Sequence, residues 1–215
     1  MEGALVRISK DIINYKHEKV VKSCREALES GHSKEEVVES LVDGIKRIAR
    51  IYKEDDYYLP DIIMAGETFG VAMDFLYPML LKKESGVIVM GTVKGSIHDS
   101  GKNLLRDLLR GSGYRVYDLG VNVEPERFVE EIKEEEARVL CMGIYMSRSR
   151  TRVEEILRRL KKIGIRDRIK ILIGGYSVGR RYAHKIKVDA YAEDVFKGAE
   201  IVRDWMEKEK EETPR

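Results

Sequence analysis

The chain lacks several residue types and motifs that would point to particular protein classes. It contains no glutamine while Lys, Arg and Glu abound, a composition that leans towards a thermophilic source. Its two cysteines, Cys24 and Cys141, lie far apart in helical or apolar contexts, which predicts buried reduced thiols. No Cys-x-x-Cys, His-Glu-x-x-His or serine-elbow sequence occurs. His17, His32 and His184 have no second ligand at metal-binding spacing, which favours surface or satisfied histidines.

Long apolar runs and charge of a single sign are also missing. No segment reaches the roughly 18 apolar residues of a membrane span, and the amino terminus lacks a charged-then-apolar signal pattern. We therefore expect a cytoplasmic protein with no membrane partner. Charged residues make up 36% of the chain, yet the formal net charge is only +2, so both signs are interspersed. A nucleic-acid partner would call for a concentrated basic face, and we expect none.

The first part of the chain has the pattern of helices without strands. Apolar residues at helical spacing predict a first helix that ends near Gly31. Ser33 followed by Glu36 is a capping box that opens a second helix, and Pro60 is a favourable first residue of a third. Three or four helices of this size predict a bundle, which we assign to a domain of residues 1–85. A helical bundle of this kind is also typical of a spacer or an oligomerisation domain.

From residue 86 onward, strands and helices alternate in a second domain of residues 86–215. Five short strands separated by helices predict a parallel sheet that is covered on both faces. The simplest such architecture is a doubly wound, flavodoxin-like α/β sheet with strand order 2-1-3-4-5. The predicted strands are Val87–Val93, Arg115–Asp118, Val139–Tyr145, Ile169–Ile173 and Ala190–Ala192, with helices starting near Ser100, Pro125, Thr151, Val178 and Asp194.

This strand order predicts where a ligand binds. Ligands of such sheets bind beyond the carboxyl ends of the strands where the winding direction reverses, here between the first and third strands. Paired glycines after the fourth strand would let the backbone approach a ligand closely, although a plain turn explains them equally well. The polar and glycine residues that converge on this crevice are Ser96, His98, Asp99, Ser147, Arg148, Ser149, Arg150, Gly174 and Gly175.

The loop after the first strand carries three groups with strong chemistry, His98, Asp99 and Lys102. A phosphate-binding P-loop needs four residues between its glycines and a Ser or Thr after the Lys. Here five residues separate the glycines and Asn103 follows the lysine, so this reading fits poorly. His98 could cap the helix or lie on the surface, or it could bind a metal, as neutral imidazole commonly does. The residues by themselves leave both alternatives open.

The same loop resembles the cobalamin-binding module of corrinoid methyl-carrier proteins and of cobalamin-dependent methionine synthase. The signature of that family is Asp-x-His-x-x-Gly, and this chain has Ser96-Ile97-His98-Asp99-Ser100-Gly101, so Ser96 replaces the Asp. The similarity continues through Lys102-Asn103, Tyr117-Asp118-Leu119-Gly120 and Gly174-Gly175, and through the helical segment upstream. It therefore covers nearly the whole chain.

The resemblance implies cobalamin as the cofactor and His98 as the lower axial ligand of its cobalt. It implies that the corrinoid lies over the end of the sheet, that its nucleotide tail enters a slot beside the sheet, and that Ser149 joins a relay below the cobalt. Gly143 stands where the family usually has a Ser facing the tail base. A helical cap would place Tyr52 and Leu59 so that they shield the upper axial ligand. The implied cofactor-binding residues are Ser96, His98, Asp99, Gly101, Ser147, Ser149, Gly174, Gly175, Tyr52 and Leu59.

The function implied by the resemblance is to carry a methyl group on cobalt between partner methyltransferases. No substrate-binding barrel is evident in the sequence, so we expect the methyl-donor and methyl-acceptor sides to be separate polypeptides that turnover requires. A reductive activase and a homo-oligomer are further partners that the resemblance leaves open. A cobalamin sensor or store without turnover, and a module for another nucleotide-tailed cofactor, are the competing hypotheses. The methyl donor, the methyl acceptor and the lower base stay open.

Overall fold

The computed structural model describes residues 3–54, 59–81 and 86–212, and the side chains of residues 52–54, 59 and 209–212 lie outside that description. The chain divides into two compact units, Met1–Leu81 and Lys82–Arg215. Within the described residues, no helix combines the length and the apolar character that crossing a bilayer requires.

Helices alone form the described part of the first unit, as the sequence predicted. Fully buried apolar side chains from different helices, such as Ile12, Leu41 and Phe69, form its core. The predicted capping box is present: the Ser33 backbone N–H donates to Glu36 Oε2 at 2.8 Å, and the Glu36 N–H donates to Ser33 Oγ at 3.2 Å. The helices are α1 (Ala4–Ile13), α2 (His17–Glu29), α3 (Lys34–Glu54) and α4 (Leu59–Leu80).

The prediction of one continuous helix up to Gly31 is wrong. Helix α1 ends at Ile13, and Tyr15 adopts a left-handed φ of 55° in the turn that separates α1 from α2. The Tyr15 hydroxyl donates to Asp61 Oδ1 on α4 at 3.0 Å, 46 residues away. Because this contact is long-range, the local apolar period could not reveal the break.

The second unit is a five-stranded parallel sheet covered by helices. The strands are β1 (Val87–Thr92), β2 (Arg115–Asp118), β3 (Val139–Gly143), β4 (Lys170–Gly174) and β5 (Ala190–Ala192); the helices are α5 (Ser100–Gly111), α6 (Pro125–Glu134), α7 (Arg150–Lys162), α8 (Arg180–Ile186) and α9 (Val195–Glu212). The strand order is β2-β1-β3-β4-β5, which confirms the predicted flavodoxin-like winding. Helices α5 and α9 pack together, and so do α6 and α7.

Successive side chains along each strand point to opposite faces of the sheet, and the two faces have different surroundings. Val89, Leu140 and Ile171 belong to one buried cluster that also contains side chains of α6 and α7. The intervening residues Met90, Cys141 and Leu172 face the side of α5 and α9. At the carboxyl ends of the strands, the residues in register on this second face are Thr92, Gly143, Gly174 and Ala192. All four are small, so the sheet ends there without bulky side chains.

Candidate functional site

The loop between β1 and α5 is held in place by hydrogen bonds to the backbone and to one side chain of the loop after β2. The Lys94 N–H donates to Val123 O at 2.9 Å, and the Gly95 N–H donates to Asn122 Oδ1 at 2.9 Å. The Asn122 N–H donates in turn to Ser96 O at 3.0 Å. Gly95 has a φ of +98°, a left-handed conformation that favours glycine. These contacts fix the backbone that carries Ser96 and His98.

Ser96 and His98 lie together at the predicted crevice. Ser96 Oγ is 3.1 Å from His98 Nδ1 and also accepts the His98 backbone N–H at 3.3 Å. The Thr92 hydroxyl donates to His98 O at 2.9 Å, which ties the loop back to β1. Ser96 is buried and His98 is exposed. Since Nδ1 is engaged by Ser96, the nitrogen available to a metal is Nε2.

Ser149 supports the same loop from the side of β3. Its side chain is fully buried and its hydroxyl donates to Lys94 O at 2.8 Å. This hydrogen bond goes to the loop backbone, and the relay that the resemblance implies for Ser149 stays a prediction. Ser147 is exposed at the start of a short 3-10 turn, Ser147–Ser149.

The beginning of α5 is anchored to β2 by a buried ion pair. Lys102 Nζ lies 2.5 Å from Asp118 Oδ2 and donates to Asn103 Oδ1 at 2.7 Å. Burial raises the pKa of Asp118, but hydrogen bonds from Lys102 and from the Gly120 N–H outweigh burial, so the pKa lies below its ordinary value. The matching residues Lys102 and Asp118 thus have a structural role here, which is to hold α5 against the sheet. Asp99 Oδ2 accepts a hydrogen bond from Asn103 Nδ2 at 3.1 Å.

Tyr145 is a site residue that the sequence analysis did not identify. Its ring stacks on His98 with centroids 5.5 Å apart and an interplanar angle of 28°. Its hydroxyl reaches the start of α5, where a Cβ at Gly101 would lie 3.0 Å from it. Burial, and next the charge of Asp99, raises the pKa of Tyr145, so the phenol stays protonated at neutral pH. The sequence feature that could have identified Tyr145 is its place two residues beyond the end of β3, a strand that ends at the crevice.

A slot opens beside the carboxyl ends of the strands, on the face of α5 and α9. The cavity has a volume of about 430 Å³, within the range of small-molecule sites. Gly174 leaves its floor open, and the slot-lining residue Lys102 is paired with Asp118. Its apolar lining includes Met90, Leu105, Cys141, Leu172, Val178 and Val195. The exposed side chain of His98 stacks on Tyr145, which lines this slot.

The two adjacent glycines of the predicted site have different surroundings. A Cβ at Gly174 would lie 3.6 Å from Ala192 O, an ordinary van der Waals contact, and Gly174 lines the slot. Gly175 has a φ of +112°, and a Cβ there would lie only 2.5 Å from Ile144 O. Both glycines line the slot, but Gly174 has room for a Cβ, whereas glycine is required at position 175 by the close approach of the Ile144 backbone.

Several expectations concern the cysteines, metal-binding clusters and the residues of the helical cap. Cys24 and Cys141 are free and buried, which confirms the prediction of buried thiols, and burial raises the pKa of each to about 12. The described residues contain no group of three or more His, Cys, Asp or Glu side chains that could hold a metal ion. The side chains of Tyr52 and Leu59 lie outside the described residues, so their shielding role stays a prediction.

Comparison with known proteins identifies the family. Two models described as B12 binding domains match residues 5–77 and 86–200. The dimethylamine corrinoid protein 3 of Methanosarcina acetivorans is 29% identical over 90% of this chain and 92% of its own length. A corrinoid protein of Desulfitobacterium hafniense is 33% identical over 77% of this chain and 79% of its own length.

A solved structure agrees with these matches. The monomethylamine corrinoid protein of Methanosarcina barkeri superposes with a TM-score of 0.62 at 29% identity, covering 93% of this chain and 97% of that one. One of the two models matches 115 of the 215 residues, which is more than half of the chain. The chain therefore belongs to the B12-binding domain family, and its cofactor is cobalamin or a related corrinoid.

Proposed function

We propose that this protein carries a methyl group on the cobalt of a bound corrinoid between separate partner methyltransferases, with His98 as the lower axial ligand. The observation that supports this most is the Ser96–His98 pair, in which Nδ1 lies 3.1 Å from Ser96 Oγ and Nε2 belongs to an exposed side chain. When bound, the corrinoid supplies the methyl-transfer chemistry, and the protein supplies ligation and orientation.

Each residue around the proposed ligand has a distinct task. The Ser96 hydroxyl orients the imidazole ring and fixes which nitrogen faces the cobalt. Thr92 and Ser149 hold the loop backbone on which His98 is carried. Gly174, at the end of β4, leaves room for the nucleotide tail, and Gly143, at the end of β3, makes room for the ring of Tyr145 in the wall of the slot.

The relatives support a methylated amine as the source of the methyl group. Those similar over most of this chain include corrinoid proteins named for dimethylamine and monomethylamine. Within this proposal, residues 1–85 form the cap domain and residues 86–215 the corrinoid domain. Shielding of the upper axial ligand by Tyr52 and Leu59 belongs to the same proposal.

We expect the purified chain to bind one cobalamin per polypeptide. Equilibrium dialysis against hydroxocobalamin measures the stoichiometry, and an absence of saturable binding would contradict the proposal.

A methyl-transfer assay then distinguishes a methyl carrier from a cobalamin sensor or store. The protein, loaded with methylcobalamin, is mixed with the methyltransferase that co-purifies with it and with a thiol acceptor. Demethylation that requires both chain and methyltransferase supports a carrier, whereas binding without demethylation favours the alternative.

We expect Ser96→Asp to make the Co(II)/Co(I) potential of the bound corrinoid more negative. A carboxylate at Nδ1 raises the basicity of the ligating imidazole, and such support is worth roughly 10–100-fold in affinity. Co(I) has no lower ligand, so stronger ligation opposes reduction. Each tenfold gain in binding of the oxidised state corresponds to about 59 mV for one electron.

Spectroelectrochemical titration measures this potential, with Ser96→Ala as the matched control. Ser96→Ala removes the hydroxyl from Nδ1 without adding charge, and we expect it to shift the potential in the opposite direction. Equal potentials in all three proteins would show that residue 96 does not tune the ligand.

A further inference from the structure

Tyr145 lies between the proposed cobalt ligand and the slot. One face of its ring stacks on His98, and its Cε2 atom lies 3.1 Å from where a Cβ at Gly143 would be. Any side chain at position 143 would also approach Thr92 Oγ1 to 3.2 Å. The wall of the slot at the end of β3 is therefore formed by the side chain of Tyr145, and Gly143 provides the space for it.

The Tyr145 hydroxyl has one hydrogen-bonding function left over. A hydroxyl can donate one hydrogen bond and accept two. The oxygen lies at the first turn of α5, where the N–H groups have no partner within the helix, and the backbone of Lys102 there acts to lower the pKa of Tyr145. The side chain of Asp99 makes no capping bond there. No acceptor for the phenol proton is found in the part of the chain that the structure describes, and Tyr145 lines the slot.

A hydrogen-bond donor in this slot matters for a particular chemical reason. If His98 occupies the lower axial position, a ring nitrogen of the tail base that would otherwise bind cobalt is left as an acceptor. Much of the lining of the slot is apolar. The ammonium group of Lys102, which also lines the slot, is already paired with Asp118. A buried acceptor without a donor is unfavourable, whereas a base without a ring nitrogen has no such need.

We propose that Tyr145 determines specificity for the lower base of the corrinoid, because its hydroxyl donates to a ring nitrogen of that base. The protein then favours corrinoids with a nitrogen heterocycle as lower base over corrinoids with a phenolic base. This inference rests on the proposed function, since it assumes that His98 ligates the cobalt and that the tail enters the slot.

The test is the affinity of wild type and Tyr145→Phe for three corrinoids. They are cobalamin, whose base has a ring nitrogen, a phenolyl cobamide, whose base has none, and cobinamide, which has no tail. Tyr145→Phe keeps the ring on His98 and removes only the hydroxyl. We expect it to weaken cobalamin binding about 5–10-fold, the value of one neutral hydrogen bond. We expect binding of the other two corrinoids to change less than about twofold.

Tyr117→Phe is the matched control, because Tyr117 is a half-buried tyrosine on β2 of the same unit and does not line the slot. We expect it to bind all three corrinoids like wild type. If Tyr145→Phe lowers the affinity for all three corrinoids equally, the tyrosine acts on His98 or on the loop. If the affinity for cobalamin is unchanged, the hydroxyl does not bind the lower base. Either result overturns the inference while the proposed function stands. Absence of saturable binding in the wild type would overturn both.

Discussion

Replacing His98 with alanine is expected to abolish the nitrogen hyperfine splitting in the electron paramagnetic resonance spectrum of the bound Co(II) corrinoid. That splitting reports an axial nitrogen on the cobalt. In this chain the candidate nitrogen is His98 Nε2, because Nδ1 is 3.1 Å from Ser96 Oγ. The slot holds the tail base away from the metal in the proposed arrangement, so no other nitrogen would take its place.

The same substitution is expected to make the Co(II)/Co(I) potential less negative. Losing a ligand that stabilises Co(II) by about 100-fold relative to Co(I) would correspond to about 120 mV, at 59 mV for each tenfold change. We expect the tail in its slot to keep some affinity for the corrinoid, so the spectrum can be recorded.

His184→Ala is the matched control for this experiment. His184 is an exposed histidine on α8 in the same unit, and it should keep both the splitting and the potential of the wild type. Splitting that persists in His98→Ala would mean that another nitrogen ligates the cobalt. A wild type without any splitting would show that His98 is not the ligand under those conditions.

Gly175→Ala is expected to destabilise the fold strongly, whereas Gly174→Ala is not. A Cβ at Gly175 would lie 2.5 Å from Ile144 O and 2.9 Å from Ile144 C and N, and these are backbone atoms that cannot move aside cheaply. The φ of +112° adds strain for any residue but glycine. Backbone strain of roughly 1–3 kcal/mol and overpacking of roughly 1–3 kcal/mol together give about 2–6 kcal/mol. Urea denaturation measures this loss as a lower midpoint.

Gly174→Ala provides the control because the two glycines are neighbours with opposite constraints. Its new methyl group would meet Ala192 O at 3.6 Å, so we expect the free energy of unfolding to stay within about 1 kcal/mol of wild type. The methyl group projects into the slot, and we expect weaker cobalamin binding instead. Equal stability of the two variants would contradict the distinction between a slot glycine and a packing glycine.

The sequence predicted the flavodoxin-like order because each of its signals was local. Short apolar runs such as Val87–Val89 fix strands, the Ser33–Glu36 capping box fixes a helix start, and the alternation of strands and helices imposes parallel pairing. Handedness and the switch point then follow from general rules of sheet winding. The position of His98 at the crevice was predictable for the same reason.

Other features could not be read from local pattern because they depend on contacts between distant segments. The break at Tyr15 accompanies a hydrogen bond to Asp61, and the φ of Gly175 accompanies the approach of Ile144. The tilt of Tyr145 onto His98 joins two loops 47 residues apart in sequence. In the sequence, Gly174 and Gly175 are equivalent neighbours, and only the packing around them shows that a Cβ has room at Gly174 and none at Gly175.

By itself, the sequence determined the class of fold, the end of the sheet that holds the site, and the Ser96–His98 spacing. These depend on residue periodicity and on short-range order along the chain. The tertiary structure decided which small residues align in register to open the slot, and which aromatic side chain closes its wall. Register and close approach are set by pairing and packing between strands, so only the folded sheet brings Thr92, Gly143, Gly174 and Tyr145 together at one end.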